Sequence, residues 1–157
     1  TVQMAELKDA DIVIEAATEN EGLKLKLLRE VEAVIGAGTI IASNTSSISI
    51  TQLAAATARP AQFIGMHFFN PVPMMALVEL IRGLQTSDET HGKVEALAKA
   101  LGKTPITVKN NPSAIPATKN EGHSTQKIFC ISRSLANGKT SPISRYARLF
   151  PPASCRS

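Results

Sequence analysis

His67 and Glu79 are the two side chains in this sequence best suited to move a proton between them. His67 stands near the end of the apolar run Phe63-Ile64-Gly65-Met66-His67-Phe68-Phe69, and Glu79 lies inside Ala76-Leu77-Val78-Glu79-Leu80-Ile81. A carboxylate flanked by aliphatic residues is costly to bury alone and needs a partner. The histidine twelve residues earlier is the obvious one. An imidazole oriented by a carboxylate is a general acid/base pair, and the carboxylate fixes its tautomer and stabilises its charged form. A lone histidine at the end of an apolar strand is more often a satisfied core residue, so the proposed chemistry rests on the pairing. A third polar group, Ala42-Ser43-Asn44-Thr45-Ser46-Ser47, follows another apolar run. Ligands of open α/β sheets bind at such carboxyl ends of strands, where small hydroxyls and amides can touch a cofactor ring or a substrate oxygen. Taken alone, that stretch reads as a turn and a helix cap.

These residues need a frame to position them. Asp11 to Ala16 is an apolar run of strand length, and Leu23, Leu27, Val31, Val34 and Ile35 then recur at helical spacing. Gly36 and Gly38 are expected to stop that helix. Thr39 to Ala42 predicts a second strand, and Ser47 or Ser49 can cap a short helix through Leu53 to Thr57. Phe63 to Phe69 predicts a third strand, which Asn70-Pro71-Val72-Pro73 breaks. Ala76 to Ile81 predicts a fourth. Thr86-Ser87-Asp88-Glu89 matches a capping box, opening a helix whose Val94, Leu97, Ala98 and Leu101 share a face. Gly102 ends it, and Thr104 to Val108 predicts a fifth strand. Strands alternating with helices imply a mostly parallel sheet flanked by helices, with right-handed crossovers.

Composition narrows the function classes. Hydrophobic residues make up 43% of the 157, aromatics only 4%, and there is no Trp, so aliphatic side chains must fill the core. The net charge of +4 is unevenly placed: residues 1–112 hold 10 Lys/Arg against 12 Asp/Glu, whereas residues 113–157 hold 7 against Glu121 alone. The tail's basic residues are scattered and form no helical stripe, which argues against nucleic-acid binding. Cys130 and Cys155 have neither CxxC spacing nor a zinc-finger histidine pattern, so no metal site is expected. No run of 18 apolar residues exists, so no membrane span is expected. Residues 113–157 carry one modest apolar run, Lys127 to Leu135, and the tail is expected to be poorly ordered.

Gly36-Ala37-Gly38 is the only G-x-G in the chain. It follows a helix and precedes a strand, the reverse of the context a dinucleotide turn requires. It reads as a helix stop, and no phosphate cradle is recognisable.

The order and gaps of four motifs carry a resemblance. Asp11-Ile12-Val13-Ile14-Glu15-Ala16-Ala17-Thr18-Glu19-Asn20, then Ala42 to Ser47, then His67-Phe68-Phe69-Asn70-Pro71-Val72-Pro73, then Leu77-Val78-Glu79, resemble the 3-hydroxyacyl-CoA dehydrogenase family over residues 5–112. Val108-Lys109-Asn110-Asn111-Pro112 continues the match. The short-chain 3-hydroxybutyryl-CoA form is similar. The resemblance implies a partial Rossmann-like, doubly wound α/β domain with NAD as cofactor and an acyl-CoA substrate. It implies that His67 is the catalytic base, Glu79 its orienting carboxylate, and Ser46 the serine near both substrate oxygen and nicotinamide. Asn70 resembles the amide that helps shape the site. Glu19 and Lys24 resemble residues on the nicotinamide–ribose side of the cofactor, although by themselves they read as a solvated helix start. A cytoplasmic enzyme is implied, with the mitochondrial matrix as the alternative.

The departures divide the chain. The family's glycine-rich turn and ribose-reading acid fall upstream of Thr1, so residues 1–112 resemble the second half of the NAD-binding domain. These 157 residues by themselves are expected to bind NAD weakly or not at all, with an open sheet edge where the first strands would pair. After Pro112 the family continues with Gly-Phe, whereas Ser113-Ala114-Ile115-Pro116-Ala117-Thr118 stands here, and Ala117 takes the place of a substrate-contacting asparagine. The helical domain through which the family forms homodimers is not recognisable in 113–157, and a frameshift or non-homologous junction would explain that basic tail. Two other function classes follow. One is an inactive fragment of the same enzyme. The other is a hydrolase using Ser46, His67 and Glu79 as a triad, which the absence of a G-x-S-x-G elbow disfavours.

Overall fold

The computed structural model describes residues 4–17, 19–109 and 127–132. A 3-10 turn at Met4–Asp9 leads into β1 (Ala10–Ala16), α1 (Glu21–Glu32), β2 (Ile40–Ser43), α2 (Ile50–Ala55) and β3 (Phe63–Phe68). β4 (Leu77–Arg82), α3 (Asp88–Ala100), β5 (Thr104–Lys109) and β6 (Lys127–Ser132) follow. The six strands form one sheet in the order β5-β4-β3-β2-β1-β6. β1–β2, β2–β3 and β4–β5 are parallel, each joined through a helix. β3 and β4 are joined without a helix and run antiparallel, as the short connection dictates.

Strand alternation sorts the core into two layers. Val13, Ile41 and Phe63 project to one face and pack with Leu27, Leu28 and Val31 of α1 and Ile50, Leu53 and Ala54 of α2. Ile12, Ile14, Ile40, Ala42, Ile64, Met66, Val78 and Leu80 project to the other and pack with Val94, Leu97 and Ala98 of α3. The mostly parallel, helix-flanked sheet expected from the alternating elements is present, in the doubly wound form that the family resemblance implies. Gly65 lets α2 sit down on β3: a Cβ there would meet Ile81 Cβ at 2.7 Å and Ile50 Cδ1 at 2.9 Å.

The helix termini refine the sequence reading. Asn20 caps α1 by accepting from Leu23 N–H at 2.9 Å, and Ser49 caps α2 by accepting from Gln52 N–H at 3.3 Å. α1 ends at Glu32, before Gly36; Val34 and Ile35 turn back onto Val31 O. At α3 the cap is Ser87, which accepts from Thr90 N–H at 3.1 Å. Thr86, the first residue of the expected capping box, instead donates to Phe63 O at 2.7 Å and accepts from Gly83 N–H at 2.9 Å. Its hydroxyl is spent on the sheet, so the cap shifts by one residue.

The β1 edge expected to be open is occupied. β6 pairs with β1 antiparallel along Ala10–Ala16, with Val13 opposite Cys130 and Ile14 opposite Phe129. The apolar run beginning at Lys127 is thus a strand within a segment otherwise rich in polar residues. The remainder of 113–157, together with Asn110 to Pro112, lies outside the described residues, as does Ala117. Among the described residues, no helix is long and apolar enough to cross a membrane.

Candidate active site

The site is built where β1, β2 and β3 end. His67 occupies the last turn of the β3 pleat, directly opposite Glu79 on antiparallel β4. Directly opposed residues project to the same face, and alternation from Phe63 and Gly65 puts His67 on the α1/α2 face. Its Nδ1 lies 3.0 Å from Glu79 Oε2. Glu79 is 6% exposed, so its charge needs this partner, while the His67 side chain keeps 19% of its surface open. The Phe69 ring stands beside the imidazole at a centroid distance of 4.8 Å, tilted by 48°. An ionised carboxylate can only accept, so Nδ1 carries the proton and Nε2 offers its lone pair. Nε2 has no hydrogen-bond partner among the described residues. That is the geometry of a base whose reactive nitrogen is turned away from its orienting group.

Two carboxylates from the β1–α1 segment organise the loop after β2. Glu19 Oε2 accepts from the Thr45 hydroxyl at 2.6 Å and the Ser47 hydroxyl at 3.0 Å, and Oε1 accepts from Ser46 N–H at 3.1 Å. It therefore clamps three successive residues and leaves the exposed Ser46 side chain directed by a fixed backbone. Beneath it, Glu15 accepts from Lys24 Nζ at 2.9 and 2.8 Å and from the Ser43 hydroxyl at 2.8 Å. The Ala17 amide also donates to Glu15. Lys24 and Glu15 are both fully buried. The carboxylate's lone pairs are thereby satisfied, as a buried charge requires.

The structure thus brings His67 and Glu79 into contact and joins Glu19 to the Ser46 backbone. Asn70 is exposed three residues beyond His67 and makes no hydrogen bond among the described residues. Lys24 lies under the site with its ammonium on Glu15 rather than at the surface. Sequence reading missed Glu15 and Asn44. Glu15 carried the same signal as Glu79, a carboxylate inside an aliphatic run, and the same desolvation argument would have sent it in search of a cation. Asn44, whose Oδ1 accepts from Phe68 N–H at 2.8 Å, had no comparable signal.

The residues present suit one end of a dinucleotide. Exposed Ser46 and Asn70 and the half-open imidazole lie at the strand ends where a nicotinamide and a substrate oxygen would meet. A pyrophosphate needs a glycine-rich turn at a helix N-terminus. Among the described residues none is present: α1 opens on Asn20 and acidic Glu21, and Gly36 and Gly38 lie at the far side of that helix.

The family model described as 3-hydroxyacyl-CoA dehydrogenase, NAD binding domain, matches residues 1–111. A probable 3-hydroxybutyryl-CoA dehydrogenase of Deinococcus radiodurans is 50% identical over 136 residues, 87% of this chain and 49% of that protein. The fatty acid oxidation complex subunit alpha of Acinetobacter baylyi is 56% identical over 112 residues, 71% of this chain and 16% of that protein. The crystal structure of the (S)-3-hydroxybutyryl-CoA dehydrogenase PaaH1 from Ralstonia eutropha superposes with a TM-score of 0.70 at 68% identity, covering 71% of this chain and 40% of that one. The chain therefore spans half or less of the length of these relatives. Matched over residues 1–111, it belongs to the 3-hydroxyacyl-CoA dehydrogenase family, in its NAD-binding domain.

Proposed function

We propose that residues 1–112 supply the nicotinamide-side half of a dehydrogenase site that interconverts 3-hydroxyacyl-CoA and 3-oxoacyl-CoA, with the four-carbon acyl-CoA as substrate. The observation that carries this reading is the 3.0 Å contact between His67 Nδ1 and Glu79, which leaves Nε2 free to accept a proton. NAD, when bound, supplies the acceptor for the hydride that leaves C3. In the oxidative direction His67 Nε2 takes the 3-hydroxyl proton as the C3–O bond becomes a carbonyl. The imidazolium so formed is stabilised by Glu79. In the reductive direction His67 returns that proton to the oxygen. The Ser46 hydroxyl, held by the Glu19 clamp on its backbone, serves the same oxygen and the nicotinamide. Asn70 borders the pocket, Lys24 supports the ribose side through the segment it anchors, and Glu19 shapes the cofactor side of the loop. The names of two of the similar proteins, both 3-hydroxybutyryl-CoA dehydrogenases, support the four-carbon substrate.

The test is a chimera in which residues 1–111 replace the matching segment of the 68% identical Ralstonia eutropha enzyme. NADH absorbance is followed with acetoacetyl-CoA. His67→Ala should slow turnover by about 10²–10⁴-fold, the usual range for general acid–base catalysis. An unchanged rate in that variant would remove His67 from the mechanism.

A further inference from the structure

We infer that Asn44 is a positioning residue for His67, acting as a side-chain extension of the sheet at the point where the backbone of β2 leaves it. The inference rests on the dehydrogenase reading for its functional meaning and on the hydrogen bonds for its geometry. The β2–β3 ladder pairs Ile41 with Phe63, Ala42 with Ile64 and Ser43 with Gly65, and then stops. β3 continues through Met66, His67 and Phe68 with backbone pairing on its β4 side only. On the other side the chain has turned away into Thr45 and Ser46, which Glu19 holds. The backbone N–H of Phe68 would be left unpaired there, and a part-buried amide without an acceptor is costly. Asn44 Oδ1 supplies the acceptor at 2.8 Å.

The bond acts on His67 because the Phe68 nitrogen belongs to the peptide unit on the carboxyl side of His67. Holding that peptide plane fixes the direction in which the imidazole leaves the strand. Asn44 is itself anchored, since its own N–H donates to Glu15 O at 2.8 Å. The result is a line of bonds across three strand ends: Glu15 on β1, Asn44 after β2, and the His67–Phe68 peptide on β3. Ser46 follows Asn44 by two residues. The same short loop that presents the serine therefore also fixes the base, and the two cannot drift independently. The side chain must be short and able to accept, which an asparagine amide meets and an alanine does not.

The experiment is amide hydrogen exchange and imidazole ¹⁵N spectroscopy on the 157-residue chain, with Asn44→Ala and Asn44→Asp. In Asn44→Ala the Phe68 amide should exchange about tenfold faster, the size expected for one lost hydrogen bond of ordinary net strength. The His67 ring signals should move, while the amides of Val78 and Leu80 keep their protection. Asn44→Asp retains an acceptor oxygen and should restore both Phe68 protection and the His67 signals. In the chimera, Asn44→Ala should lower kcat and leave the KM for acetoacetyl-CoA and NADH within about twofold, the pattern of a misplaced base rather than lost binding. Unchanged Phe68 exchange and ring signals in Asn44→Ala would overturn the inference. So would uniform loosening of all sheet amides, which would make Asn44 a general stabiliser. Loss of the dehydrogenase reading shows separately, as a His67→Ala chimera of normal rate with the spectroscopic coupling intact.

Discussion

Lys24 Nζ sits between the two carboxylate oxygens of Glu15, at 2.9 and 2.8 Å, and neither side chain has any exposed surface. The pair joins the first turns of α1 to the end of β1, and through Ser43 it reaches β2. Removing one partner leaves the other charge buried and unpaired. Lys24→Met should therefore destabilise the chain by about 3–5 kcal/mol. Glu15→Gln added to Lys24→Met removes the stranded charge and should recover a substantial part. Urea unfolding measures both. A Lys24→Met variant within about 1 kcal/mol of wild type, no more than a surface pair is worth, would mean that water reaches the pair.

Glu79 controls which nitrogen of His67 holds the proton. A Gln at 79 can turn its amide N–H toward Nδ1, which then accepts, and Nε2 must carry the proton instead. The base would be in the wrong tautomer. Glu79→Gln in the chimera should lower kcat by about 10²-fold or more, within the range for losing general-base action, while its fold is kept. Steady-state NADH oxidation and ring ¹⁵N shifts read the two effects. Wild-type kcat with a switched tautomer would dissociate proton location from catalysis.

Gly65 is required by packing rather than by backbone angle. Gly65→Ala drives a methyl against Ile81 Cβ and Ile50 Cδ1 and should cost about 1–3 kcal/mol, as overpacking does. Ile50→Ala as a second change should recover only part of that, because the Ile81 Cβ belongs to the neighbouring strand and cannot retreat. Full recovery would show that the α2 contact alone sets the cost.

On α3, Glu89 and Glu95 bond to Lys93 and Lys99 one turn on, at 2.7 and 2.6 Å. These hydrogen bonds, and then the lysine charges, hold both carboxyls below the ordinary glutamate value. A carboxyl depressed in the folded state stabilises above its unfolded value, and that contribution fades as pH falls through the folded one. Lys93→Gln should therefore raise the titration midpoint of Glu89, followed by carboxyl ¹³C shifts. High salt should do the same, since both groups are exposed. A midpoint that stays put in Lys93→Gln would assign the shift to another cause.

Periodicity made the elements legible, because buried faces repeat every two or about 3.6 residues whatever the final fold. Val94, Leu97 and Ala98 were visible as a core face for that reason, and they are buried. The His67–Glu79 contact was legible from one energetic argument, that an aliphatic-flanked carboxylate needs a partner. Glu15 obeyed the same rule and was overlooked because its cation sits nine residues away on a helix start that looks solvated. The Asn44–Phe68 bond spans 24 residues, and nothing local in either residue signals it. The α3 cap fell on Ser87 rather than Thr86 because a tertiary acceptor, Phe63 O, competed for the threonine hydroxyl. β6 was hidden because a six-residue strand at a sheet edge is decided by its neighbour, not by its own pattern.

With β6 lying along β1, the outer hydrogen-bonding row of β1 is already consumed. A neighbouring molecule seeking to extend the sheet meets β6 on one margin and β5 on the other. There Pro105 contributes no amide hydrogen, and Lys103 and Lys109 bracket the strand with like charge. Interrupted donors and flanking lysines are what keep natural margins from zipping together, so this flank resists stacking into larger arrays even though Ile106 shows part of its surface to water.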